Sequence, residues 1–373
     1  MNRSPAAAAV AVRPLAVAVA VRPLAVAVAA GPLAAAVAAG PLAAAMAAGL
    51  LAAALPGAAA AHHSFAALFD LESFVEVEGR VTDIRWINPH IKFYVDSEGD
   101  AWEIEAGPTN LLTRMGIERE LIEVGDTIRV RGNPGRRDPH TVWVMNVRLP
   151  DGTEVLANPE AAPFWGSRTV GESSSLFERG EAAPAAGAGD SIFKVWTTVI
   201  PSMPLPIGPP SLTERGRDAQ VAFEAGDVPF ADCEPPGMPL AMGGPYPIEL
   251  VDRGDRILIR MESYDQERVV HLAAPAREPA PSPLGYSLGR WESDRELLVE
   301  TTRIDYDRFG DLGPAQSGDS RVVERFTLSP DGLELAYQLT ITDPANLADA
   351  WSWSGSYFYR EGETLKRWNC GVE

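Results

Sequence analysis

From residue 74 onward the chain is written largely in the two-residue period of β-strands, which argues against a mainly helical fold. "FVEVEGRVTDIRW" alternates apolar and polar side chains and reads as one long strand with Gly79 as a bend. Asn88-Pro89 turns the chain into "HIKFYVD", and "SEGD" turns it again into "AWEIEA". "PTNLLTRMG" then reads as a short helix, with Pro108 in the first turn and Gly116 as the stop. "GDTIRVRG" and "HTVWVMNVRL" supply two more strands. Three strands, a helix and two strands is the order of the OB-fold, a small, partly open barrel. An OB-like five-stranded barrel with one short helix is therefore predicted over residues 62–157.

Residues 158–190 are rich in Ala, Pro, Gly, Ser and Glu, a composition that buries little surface, and are predicted to be a disordered linker. Residues 191–373 are predicted to form a second β domain. "LTERGRDAQVAF" reads as a helix capped by Ser211 or Thr213. From about 246 onward, short strands separated by turns such as Arg253-Gly254-Asp255 argue for an antiparallel barrel or sandwich. The whole is a mainly β protein.

The first 61 residues differ in kind. They hold Arg3, Arg13 and Arg22, no acid, and a nine-residue unit repeated from Arg13, Arg22, Gly31 and Gly40. Pro14, Pro23, Pro32 and Pro41 would interrupt a long membrane helix. The Pro-free run from Leu42 to Leu55 has the length of a signal-peptide core and is short for a bilayer span. A removable leader is expected, with cleavage after Ala60 or Ala61 and no membrane span thereafter. The protein is thus expected to be exported, to a periplasm or beyond the cell. Its net charge of −19 repels phosphate backbones and sets nucleic acid aside as a partner. Cys233 and Cys370 are the two cysteines. In an oxidising compartment they pair most simply as one disulfide, two reactive thiols being the alternative.

Four of the five histidines suggest a site. Cleavage after Ala60 would leave Ala61-His62-His63 as the new N-terminus. An amine, two amide nitrogens and a third-position imidazole suit square-planar Cu(II) or Ni(II). Cleavage after Ala61 would let the amine and imidazole of His62 chelate together. His90 and His140 are expected in the two loops that flank an OB binding face. A metal site of His62, His63, His90 and His140 follows, copper first, with Trp86, Asn88 and Glu105 as further binding residues. A binding role is favoured over catalysis. The alternatives are a small-molecule carrier or enzyme site lined by aromatics in the C-terminal barrel, and a structural envelope module. "GYSLG" (285–289) fits a nucleophile-elbow pattern but leads into a strand rather than a helix. "DYDRFGDLG" (305–313) half-matches a calcium loop, with Phe309 where an acid is expected.

"AHHSFAALFD", "WINPH" at 86–90, "GPTNLLTRMG" and "VGDTIRVRGNP" together resemble an exported bacterial domain family of unknown function, over about residues 61–156. "ADCEPPGMPLAMGGPYPIEL", "GYSLGRWESDRELLVETT", "VVERF" and "ITDP" resemble a second uncharacterised exported bacterial family. That second resemblance implies a His-Ser pair ahead of "VVERF", where this chain has Gln316-Ser317. Neither resemblance implies a known reaction.

Overall fold

The protein is described here by a computed structural model covering residues 68–166, 168–178, 191–224, 233–310 and 314–371. His62, His63 and the expected leader lie outside the described residues, as do positions 311–313 of the candidate calcium loop.

The first sheet contains β1 (Val75–Arg85), β2 (Ile91–Ser97), β3 (Asp100–Ala106), β4 (Thr127–Pro134) and β5 (Thr141–Arg148). Strand order β3-β2-β1-β4-β5 is closed by a parallel β3–β5 pairing, so the five strands make a barrel. Helix α1 (Thr109–Arg114) stands between β3 and β4. The predicted OB-like topology is therefore present. Alternation explains the packing: Val77, Val81, Ile91, Phe93, Val95, Ile104, Ile128, Val130, Val142 and Val144 face the interior and are buried. Gly79 sits against β2 with no room for a side chain: a Cβ there would lie 2.3 Å from the Asp96 carbonyl oxygen. No larger residue fits without moving a strand.

The sheet continues through β6 (Glu154–Leu156) and β7 (Thr169–Val170) into helix α2 (Ser174–Phe177). Of the segment 158–190 expected to be a disordered linker, residues 158–166 and 168–178 carry β7 and α2, while 167 and 179–190 lie outside the described residues. Composition missed two anchors: the buried Leu176, which joins the barrel core, and Glu154, whose carboxylate gathers the following loop.

The second sheet has ten strands. These are β8 (Val195–Trp196), β9 (Leu205–Pro206), β10 (Ile248–Asp252), β11 (Arg256–Met261), β12 (Gln266–His271), β13 (Tyr286–Ser293), β14 (Glu296–Thr302), β15 (Arg321–Leu328), β16 (Glu334–Thr342) and β17 (Trp351–Phe358). Their order is β8-β10-β11-β12-β13-β14-β15-β16-β17-β9. Thr197 and Phe358 exchange two backbone hydrogen bonds, 2.9 and 2.6 Å, so the sheet curls until its ends meet. Pairing is antiparallel except between β12 and β13, which run parallel across a Pro-rich connection. Helix α3 (Glu214–Glu224) is capped as expected by Thr213, whose Oγ1 accepts the Gly216 N–H at 2.9 Å. Among the described residues no helix is long and apolar enough to cross a membrane.

The two sheets belong to one compact unit. Arg114 at the end of α1 donates twice to Glu262, at 2.6 Å each, and once to Glu363 at 3.1 Å, all three side chains largely buried. The last residues bind both sheets. Lys366 N–H donates to Glu262, Trp368 N–H donates to Asp265, and Asn88 N–H donates to the Asn369 carbonyl at 2.7 Å. Cys370 is disulfide-bonded to Cys233, as the cysteine count implied.

Candidate functional site

The site is best built from β3 outward. Ile104 and Ala106 point into the barrel, so Glu103 and Glu105 must point out. Glu105 stands opposite Lys92 on β2 and beside Trp143 on β5. His90 follows the cis Asn88-Pro89 bond at the start of β2 and turns onto the same outer face. Its Nδ1 lies 2.5 Å from Glu105 Oε1, with the imidazole 33% and the carboxylate 15% exposed. The Trp143 ring meets the His90 ring edge-on at 5.5 Å. Lys92 Nζ lies 3.2 Å from Glu103. Phe69 also packs against Trp143, at 5.8 Å, so the chain arrives beside His90 through one shared ring.

The structure thus unites His90 and Glu105 and separates them from His140. The His140 ring packs edge-on against Trp102 at 4.7 Å, and its Nδ1 lies 3.8 Å from Asp138. Trp102 is three residues from Glu105 along β3, a distance of about 10 Å. Among the described residues, no three His, Cys, Asp or Glu side chains converge as a metal site.

Trp86 and Asn88 serve the barrel. Trp86 packs against the core and helps line an internal void of about 20 Å³, room for one water at most. Asn88 is fully buried: its Oδ1 accepts the Thr109 N–H at 2.8 Å and hydroxyl at 3.0 Å, and its Nδ2 donates to Asn110 at 3.1 Å. It satisfies the start of α1 and fixes the turn from which His90 projects.

Inside the second sheet lies a charge network that sequence reasoning passed over. Arg268 of β12 and Glu324 of β15 form a bidentate pair, 1% and 0% exposed. Arg268 Nε donates to Ser287 Oγ at 2.9 Å and Nη2 donates to Thr301 Oγ1 at 2.7 Å. Tyr337 donates its hydroxyl to Glu324 at 2.8 Å, and Tyr357 donates to the Met242 carbonyl at 3.1 Å. The signal was available in "VVERF", where Glu324 shares a strand face with Val322 and Phe326. This network also resolves the elbow pattern. Ser287 is buried within β13 against Arg268, while His271 stacks on Tyr286, so no Ser–His pair forms.

Burial pushes the Tyr337 phenol well above its usual 10.0, reinforced by the Glu324 charge, and raises Tyr357 in the same way. Above pH 10 the unfolded chain sheds these protons while the folded chain keeps them, so stability is full below pH 10 and falls as pH rises past it. Tyr357→Phe is expected to flatten that alkaline slope in urea melts at pH 9 to 11. An unchanged slope would show that Tyr357 does not contribute to it.

Residues 50–148 match the model of a family of unknown function (DUF6152). That match takes in His62, His63, His90, His140, Trp86, Asn88 and Glu105, runs through β5, and covers less than half of the chain. No curated protein matches the chain.

Proposed function

We propose that the chain is an exported binding module whose ligand face is the β2–β3–β5 side of the five-stranded barrel, and that Cu(II) is the ligand. The observation that carries this reading is the 2.5 Å contact between His90 Nδ1 and Glu105. A carboxylate on one ring nitrogen fixes the tautomer and orientation of a metal-directed imidazole, here through Nε2. His62 and His63 supply the remaining nitrogens. His63 is six residues before Phe69, so about 20 Å of chain separates it from the Trp143 contact that adjoins His90. His140, beside Trp102, stands outside this ligand set. Export is supported by the apolar leader and by the disulfide, a bond that persists in oxidising compartments.

Titration of the leader-free protein with Cu(II) in the presence of a competing chelator tests the assignment. His90→Ala is expected to weaken binding more than tenfold, and Glu105→Gln by about 10- to 100-fold, the usual effect of losing an orienting partner. His140→Ala should change it less than twofold. Equal affinity in the wild type and the His62→Ala/His63→Ala variant would overturn the copper reading.

A further inference from the structure

A different face of the barrel carries a second feature. Phe74, just before β1, and Phe164, in the loop after β6, are 47% and 51% exposed. Between them lies the guanidinium of Arg131 from β4, 3.8 Å from the Phe74 ring centroid and 4.3 Å from that of Phe164. Both faces of the cation are covered by aromatic rings. Glu76 is opposite Arg131 in the β1–β4 register, yet its carboxylate goes to Arg129 at 3.0 Å, as Glu78 does at 3.9 Å. The Arg131 side chain has no hydrogen bond or ion pair among the described residues, although its backbone is part of the β4 ladders.

The far wall of this sandwich is built rigidly. Glu154 is fully buried, and its carboxylate accepts the backbone N–H groups of Phe164 at 2.7 Å, Trp165 at 2.9 Å and Gly166 at 3.0 Å. Asn146 Nδ2 donates to the same carboxylate at 2.8 Å and to the Ala162 carbonyl at 2.9 Å. A buried charge spent on shaping an Ala-Pro-Phe-Trp-Gly loop holds Phe164 in place before any ligand arrives, which lowers the ordering cost of binding.

We infer that Phe74, Arg131 and Phe164 form a binding site for an apolar molecule or peptide end that bears a single carboxylate. A guanidinium stacked on both faces presents its N–H donors only at its edge, in the plane that matches a carboxylate two bonds at a time. The ring rims beside that edge offer apolar contact to the body that carries the acid. Polyanions fit poorly: the chain has a net charge of −19, and the exposed Glu72, Glu76 and Glu78 lie on or just before the adjoining strand. This site is independent of the His90 face and of any metal there.

The test is an NMR titration of the full chain, following the Arg131 side-chain Nε–H signal and, in every variant, the backbone N–H signals of Phe164 and Trp165, with three organic probes and with inorganic triphosphate as a polyanion. N-acetyl-phenylalanine and 3-phenylpropionate carry the carboxylate, and N-acetyl-phenylalaninamide replaces it with a neutral group. Both acids are expected to shift the signal saturably, with the amide at least tenfold weaker. Tighter binding of N-acetyl-phenylalanine than of 3-phenylpropionate assigns the site to peptide ends, and equal binding assigns it to free apolar acids. Arg131→Gln should abolish the effect. Arg131→Lys, which keeps the charge but loses the planar fork, should weaken it about tenfold, and Phe164→Ala should weaken it severalfold with the rest of the spectrum unchanged. Equal binding of amide and acids, unaltered binding in Arg131→Gln, or tighter binding of inorganic triphosphate than of either acid would overturn the inference.

Discussion

Arg268→Met should destabilise the protein by about 3–5 kcal/mol, because it strands a fully buried carboxylate among apolar strands. Glu324→Gln should do comparable damage from the other side. Glu324 now accepts from Arg268 and Tyr337, with Thr301 close by at 3.4 Å. In a chain of this size that loss lowers Tm by roughly 10 °C. The informative variant is the double one. Arg268→Met/Glu324→Met replaces the pair by apolar side chains of similar length, and buried ion pairs so replaced are often neutral or even stabilising. The double variant should therefore recover most of what either single variant loses. Thermal melts followed by circular dichroism check this, and a double variant as unstable as the sum of the singles would contradict it. The network spans β12, β13, β14, β15 and β16, so it also ties five strands to one register. A one-residue slip of β15 would carry Glu324 out of the interior and Val323 into it.

Removing the disulfide is the second large effect. Cys233 and Cys370 are 137 residues apart. Constraining so long a loop in the unfolded chain is worth about 5 kcal/mol in the chain-entropy model. The bond also holds the C-terminal strap where Asn88 pairs with Cys370, and where Glu363, Lys366 and Trp368 reach Arg114, Glu262 and Asp265. Cys233→Ser/Cys370→Ser should thus lower the urea midpoint of the whole unit, with the strap first to gain hydrogen exchange. Equal midpoints for the oxidised wild type and the double serine variant would show that the strap is held by its hydrogen bonds alone.

The barrel was legible because its physics is local. Alternation in 74–86, turn residues at Asn88-Pro89 and 97–100, and the Pro108-to-Gly116 helix each follow from nearest neighbours. The order of five strands and one helix then selects a closed topology. The parallel β12–β13 pair was not legible, since nothing in either strand states its direction. The packing of the loop at 164–166 was also hidden. It depends on Glu154, an acid whose partners are backbone N–H groups ten to twelve residues away. The same limit applies at the candidate site. His90 and Glu105 were separately identifiable by residue type, but their contact is set by the β2–β3 register and the turn that Asn88 stabilises. His140 was placed with them by loop position, although the parallel β3–β5 ladder carries it to the Trp102 end of β3. Arg268 and Glu324 were readable as charges on apolar strand faces; their pairing required the order of four strands.

The proposal that the His90 face binds copper is tested most directly by the native intact mass of the protein exported with its own leader, with and without limiting Cu(II). A mass beginning at Ala61 or His62, with one copper retained and lost again in His90→Ala, is the expected result. A chain beginning elsewhere, or one that keeps no copper, would contradict it.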